Sequence, residues 1–178
     1  NGKLKGYNTD IYGFERLIEN NKVQFNSKRI LVLGSGGAAK AICSFLKNQE
    51  IMFCLYNRSI THANALRKTI NYELAIDVVR SIDNMNFNII INCLSRDIDP
   101  VCILKKIGFN HKKLDYFIDI NYNMNYSILN RIDTKFNIDG LDMLIYQAVK
   151  SNEIWMGNSI LDKIDLEAIR NYLLEIKC

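Results

Sequence analysis

The segment with the most chemical potential is Gly34, Ser35, Gly36, Gly37, Ala38 and Ala39. It follows a short apolar run, Arg29 to Leu33, and opens a stretch rich in helix formers. In that setting Gly34 permits a tight turn, Gly36 lets the backbone approach a diphosphate, and Ala39 stands where a small residue lets helix and strand pack closely. Bare N–H groups at the start of the helix then bind the phosphates. A dinucleotide site of the NAD type usually carries an acid at the end of the second strand, where it accepts from the ribose hydroxyl. No acid lies between Ile51 and Ile60; Asn57, Arg58 and Ser59 stand at that point instead. A guanidinium there forks onto a 2′-phosphate and stacks on adenine, while Asn57 and Ser59 add hydrogen bonds, so NADP(H) is favoured over NAD(H).

A second set of polar groups flanks this one. Asp10 closes the run Gly6, Tyr7, Asn8, Thr9, Asp10, some two dozen residues ahead of the glycine turn. By itself an Asp after Thr reads as a helix cap. Tyr122 follows an apolar run, and Met143 and Gln147, four residues apart, share one face of a long helical segment. Lys3 and Lys5 are the only lysines close in sequence to Asp10, and the residues between them read as a turn entering solvent.

The elements that must hold these groups alternate. Helical segments are expected over Glu15–Lys22, Ala38–Lys47, Thr61–Ile70, Val101–Ile107 and Leu141–Met156. Apolar runs read as strands at Arg29–Leu33, Ile51–Tyr56, Asn88–Asn92 and Phe117–Ile120, with a weaker one at Lys135–Ile138. Ile160, Ile164, Ile169 and Leu173 recur at helical spacing and predict a last helix. Strand and helix in alternation give an α/β domain with a parallel sheet covered on both faces. Three stretches follow: residues 1–26 carry Asp10 and a helix, 27–158 the nucleotide domain, and 159–178 the closing helix.

Composition narrows the function classes. The 178 residues, 48% hydrophobic and 24% charged, are ordinary for a globular domain. Interleaved charges with a net of +4 offer no basic run for nucleic acid. Five cysteines form no CxxC pair, so reduced thiols in a cytoplasmic protein and no metal site are expected. No apolar stretch approaches membrane-spanning length, and no signal peptide is expected. The chain opens on Asn1 rather than Met, so a piece of a longer protein is expected.

Taken together, the motifs resemble those of shikimate dehydrogenases. Gly6 to Asp10 is similar to the family's G-x-N-T-D, Gly34 to Ala38 to its G-x-G-G-A loop, and Asn57 to His62 to its N-R-T-x-x-R clamp. Asp119 to Tyr122 matches D-x-x-Y, Gly140 to Gln147 matches G-x-x-M-L-x-x-Q, and Trp155 with Gly157 follows as in W-x-G. The resemblance implies a Rossmann-type doubly wound parallel sheet with an added C-terminal helix. It further implies NADP-dependent, reversible reduction of 3-dehydroshikimate to shikimate. Asp10 would be catalytic, paired with a lysine of an N-terminal domain, and would contact substrate together with Tyr122 and Gln147. The cofactor set would comprise Gly34, Ser35, Gly36, Gly37, Ala38, Asn57, Arg58, Ser59, His62, Ile120, Gly140 and Met143. Such chemistry needs a hydride donor, a proton donor and groups that orient a polyhydroxylated acid. The sequence departs from the pattern at His62, which replaces a second clamp arginine, at Asn92-Cys93-Leu94-Ser95, and at Met124. The N-terminal domain and its lysine are not in the chain. A quinate/shikimate paralogue and a non-catalytic NADP-binding remnant stand as the alternatives.

Overall fold

A computed structural model describes residues 2–72, 76–83, 85–109, 113–122 and 131–176. Six strands form one parallel sheet: β1 (Ile30–Leu33), β2 (Phe53–Tyr56), β3 (Ile76–Val79), β4 (Ile89–Asn92), β5 (Leu114–Asp119) and β6 (Thr134–Asp139). Their spatial order is β3-β2-β1-β4-β5-β6, and every neighbouring pair is parallel. The central strands β1, β2 and β4 are buried at every position, as expected of apolar runs covered on both faces. β6, at one edge, exposes Lys135, Phe136 and Asn137, and a lysine on an edge strand discourages pairing with another chain. The sequence expectation contains no strand at β3, whose Ile-Asp-Val-Val carries a charge in mid-strand and is only partly buried.

The helices are α1 (Thr9–Asn20), α2 (Gly37–Asn48), α3 (Ile60–Ile70), α4 (Pro100–Lys106), α5 (Leu141–Met156) and α6 (Leu166–Glu175). α1, α2 and α3 press Phe14, Leu17, Ile42, Leu46, Ala63 and Leu66 onto one face of the sheet. The other face packs on Val101 and Leu104 of α4, with Ile82, Phe87 and Ile132 from the connections. α1 begins six residues earlier than the apolar spacing suggests. Asn8, not Asp10, is its cap: the Asn8 side chain accepts from the Asp10 N–H at 3.1 Å.

The closing segment also differs from expectation. Ile160 and Ile164 flank a short 3₁₀ turn (Leu161–Lys163), and only Ile169 and Leu173 lie on α6. All four nevertheless pack against Leu141, Ile145 and Val149 of α5, so the helical spacing identifies the right contact by way of the wrong backbone.

Candidate functional site

Hydrogen-bonded register aligns the last residue of every strand. Val79, Tyr56, Leu33, Asn92, Asp119 and Asp139 form one row across the sheet, each the partner of the next. At the usual strand spacing this row is about 24 Å long. Gly34, Asn57, Ile120 and Gly140, four of the residues singled out by motif, each stand one residue beyond it. Arg80 and Cys93 complete the second row. Neither belongs to the expected site, because nothing in a single sequence reveals which strand ends are neighbours.

The glycine turn sits where the strand order reverses, between β1 and β4. Gly34 has φ +101°, and a Cβ there would lie 2.7 Å from the Cys93 carbonyl oxygen. The turn and the β4 loop are therefore in backbone contact, which only glycine permits. Beyond it the surroundings open: a Cβ on Gly36 or Gly37 would meet no atom within 4 Å. Gly36 is the N-cap residue of α2, and no side chain caps that helix. Free N–H groups, an open approach and a positive helix end make a cradle for an anion.

At the end of β2 the side chains divide their work. Asn57 Nδ2 donates to the Ser59 carbonyl at 3.0 Å, and Ser59 Oγ caps α3 by accepting from the His62 N–H at 3.4 Å. These bonds shape the turn. Arg58 and His62 are exposed, and among the described residues neither guanidinium nor imidazole has a hydrogen bond or ion pair. Arg58 is thus a cation without a partner among the described residues, on a helix-opening turn beside the glycine cradle.

A buried polar group organises the far half of the row. Asp119, 3% exposed, accepts from the Asn121 N–H at 3.0 Å and from the Asn121 amide at 2.9 Å. The same amide donates to the Leu94 carbonyl at 3.3 Å, tying the loop after β5 to the loop after β4. Burial pushes the Asp119 carboxyl above the usual carboxylate range, against the pull of the Asn121 N–H. Asn92 Oδ1 accepts from the Leu94 N–H at 3.2 Å, and its Nδ2 is buried with no hydrogen bond of ordinary geometry. Tyr122 is 44% exposed, and the Arg96 guanidinium lies 5.7 Å from its ring centroid. Met124 lies outside the described residues.

α1 runs antiparallel to α5, so the first turn of α1, which carries Asp10, lies along the part of α5 that carries Gln147 and Ser151. Thr9 Oγ1 and Ser151 Oγ are 3.0 Å apart, and a Cβ on Gly13 would lie 2.4 Å from the Met143 carbonyl oxygen and 3.0 Å from Gln147 Cβ. Met143 is buried and belongs to the main core. The Gln147 amide turns back to donate to the Leu144 carbonyl at 3.0 Å. Among the described residues no cation pairs with Asp10; Lys5 instead lies over the Tyr7 ring, 4.9 Å from its centroid.

Cys43, Cys54 and Cys93 are buried free thiols, and burial pushes Cys43 up to about 12. Among the described residues no group of three or more His, Cys, Asp or Glu could hold a metal, and no helix is long and apolar enough to cross a membrane.

Six parallel strands in this order, with an uncapped glycine turn at the reversal point, define a doubly wound fold of the Rossmann type. Residues 16–141 match the family model described as shikimate / quinate 5-dehydrogenase. The chain belongs to that family. It is 35% identical over 177 residues to the NADP(+) shikimate dehydrogenase of Methanococcus maripaludis, covering 88% of this chain and 59% of the relative. With the Clostridium perfringens enzyme of the same name it shares 30% identity over 193 residues, 99% of this chain and 65% of that one. The crystal structure of shikimate dehydrogenase from Aquifex aeolicus superposes with a TM-score of 0.69 at 31% identity, over 88% of this chain and 59% of the other. The chain thus spans roughly three-fifths of the length of these relatives.

Proposed function

We propose that this chain is the cofactor-binding part of an NADP-dependent shikimate dehydrogenase, which reduces 3-dehydroshikimate reversibly to shikimate. The observation that carries this reading is the open, uncapped cradle at Gly34–Ala38 with the unpaired Arg58 beside it and no carboxylate at the end of β2. The diphosphate rests on the backbone of Gly34, Ser35, Gly36, Gly37 and Ala38. Arg58 takes the 2′-phosphate, His62 adds a titratable donor, and Asn57 and Ser59 hold the turn. The nicotinamide lies toward Ile120, Gly140 and Met143, where it supplies the hydride.

The substrate sits between that end of the row and the α1–α5 wall. Asp10, Tyr122 and Gln147 contact it, with Gln147 exchanging its bond to Leu144 for one to the ligand. Asp10 stabilises the charge of a lysine ammonium contributed by the part of the relatives' length that this chain does not span, and that ammonium protonates the developing alkoxide. The natural setting is the cytoplasm, with a small polyhydroxylated acid as the partner and neither nucleic acid nor a membrane. Residues 1–26 form the crossing segment, 27–158 the cofactor domain and 159–178 the closing helix.

Calorimetric titration of the 178-residue chain with NADPH and NADH tests the reading. NADPH should bind at least about tenfold more tightly, the worth of one charge-assisted phosphate contact. Arg58→Asp should erase that preference while NADH binding persists. A chain that binds neither dinucleotide, or an Arg58→Asp variant with the preference intact, would rule the proposal out.

A further inference from the structure

The corner where β6 passes into α5 is tied to the C-terminal helix by ions. Asp139, the last residue of β6, accepts from the Leu141 N–H at 3.0 Å through one carboxylate oxygen. Its other oxygen lies 3.4 Å from the Arg170 guanidinium of α6. Asp142, in the first turn of α5, meets the same guanidinium at 2.5 Å. The second oxygen of Asp142 accepts from the Asn20 amide of α1 at 3.5 Å, and that amide also reaches the Tyr146 hydroxyl at 3.1 Å. One planar cation thus spans two carboxylates three residues apart, a geometry that suits arginine better than a point charge.

The same corner carries Gly140 and Met143. Backbone fixes it on two sides: a Cβ on Gly140 would lie 1.9 Å from the Ile120 carbonyl oxygen, and the Met143 carbonyl abuts Gly13. On the side facing α6, the polar ties to the corner among the described residues come from Arg170. Each of the three groups is partly shielded, with side-chain exposures of 36% for Arg170, 26% for Asp139 and 21% for Asp142, so solvent screens the ties only in part.

We infer that Arg170 is a positioning residue for the nicotinamide end of the cofactor site, acting through Asp139 and Asp142 on the Gly140–Met143 turn. This rests on the reading that the cofactor lies along the strand ends. On that reading the C-terminal helix helps set the geometry of the reacting half of the cofactor without touching it. The adenosine half, proposed at β1 and β2, lies three and four strands from β6, about 14 Å or more at the usual strand spacing.

Two ligands separate the halves: NADPH, and adenosine 2′,5′-bisphosphate, which carries both phosphates of the adenosine half and no nicotinamide. Arg170→Ala should weaken NADPH roughly five- to tenfold, the scale of one lost charge-assisted contact, and leave the bisphosphate unchanged. Arg170→Lys should restore part of the loss. Asp142→Asn, which keeps the shape and removes one charge, should show the same selective pattern in a chain whose thermal midpoint reports that it is folded. Equal weakening of both ligands would mean a merely structural role and overturn the inference, as would no change in either. If the unaltered chain bound neither ligand, the cofactor reading itself would fall; if it bound both and the variants behaved alike, only the role of Arg170 would.

Discussion

Gly34 shows how a single backbone angle couples two loops. Its φ of +101° and the Cys93 carbonyl 2.7 Å from any added Cβ leave no room for a side chain. Gly34→Ala should therefore cost about 1–3 kcal/mol through strain and the forced retreat of the β4 loop. Urea denaturation should register that loss, and an unchanged midpoint would show that the turn relaxes freely. Gly34 is legible in the sequence because a glycine between an apolar strand and a helix marks a tight turn. Asp119 is legible only as part of a pattern. Its burial depends on β5 lying between β4 and β6, and sequence spacing says nothing about that. The residue types of Asn57 and Ser59 suggest ligands of the ribose phosphate, but their side chains are engaged in the turn that presents Arg58.

Among the elements, the α1–α5 pair is the one on which the proposed substrate wall depends. Gly13 lets the two backbones meet, with the Met143 carbonyl oxygen 2.4 Å from where a Cβ would be. Phe14 and Leu17, both fully buried, sit on the same helix and anchor it to the sheet, with Phe14 edge-on to Phe45 at 5.2 Å. Gly13→Ala must push α1 away from α5 and should destabilise the chain by about 1–3 kcal/mol, the usual penalty for overpacking. A thermal scan checks this; a midpoint equal to that of the parent chain would contradict the contact. Apolar spacing at Phe14, Leu17 and Ile18 reveals α1, but not its start, because the helix opens on the polar pair Thr9 and Asp10 and is fixed by the Asn8 cap. β3 escapes notice for a related reason: a four-residue strand with Asp77 on its exposed side has too little alternation to stand out.

At the scale of the molecule, pH acts through the buried carboxyl in the middle of the site. The unfolded carboxyl titrates near 3.8, and burial raises the folded value above that. The folded state therefore holds this proton more tightly than the unfolded chain. Its contribution to stability is complete below the unfolded value and is lost as pH rises through the folded one. Asp119→Asn removes the titration, so its stability relative to the parent chain should rise as pH climbs from about 4 through the raised folded value. Denaturation midpoints of the two chains across that range test the sign, and parallel profiles would exclude it. The alternation of strand and helix makes the parallel sheet legible as a whole. The strand order follows from the fold class that the motifs imply, since periodicity carries no information about which strands touch.

That all six strands run the same way has a kinetic consequence. No neighbouring pair can zip together as a hairpin, and the central pairing of Ile30 with Ile89 must close a loop of some sixty residues before it gains a single ladder bond. The turn at Gly34 and the loop at Cys93 meet only once that closure is made. The proposed dinucleotide cradle therefore belongs to neither half of the sheet alone and is complete only when the two are joined.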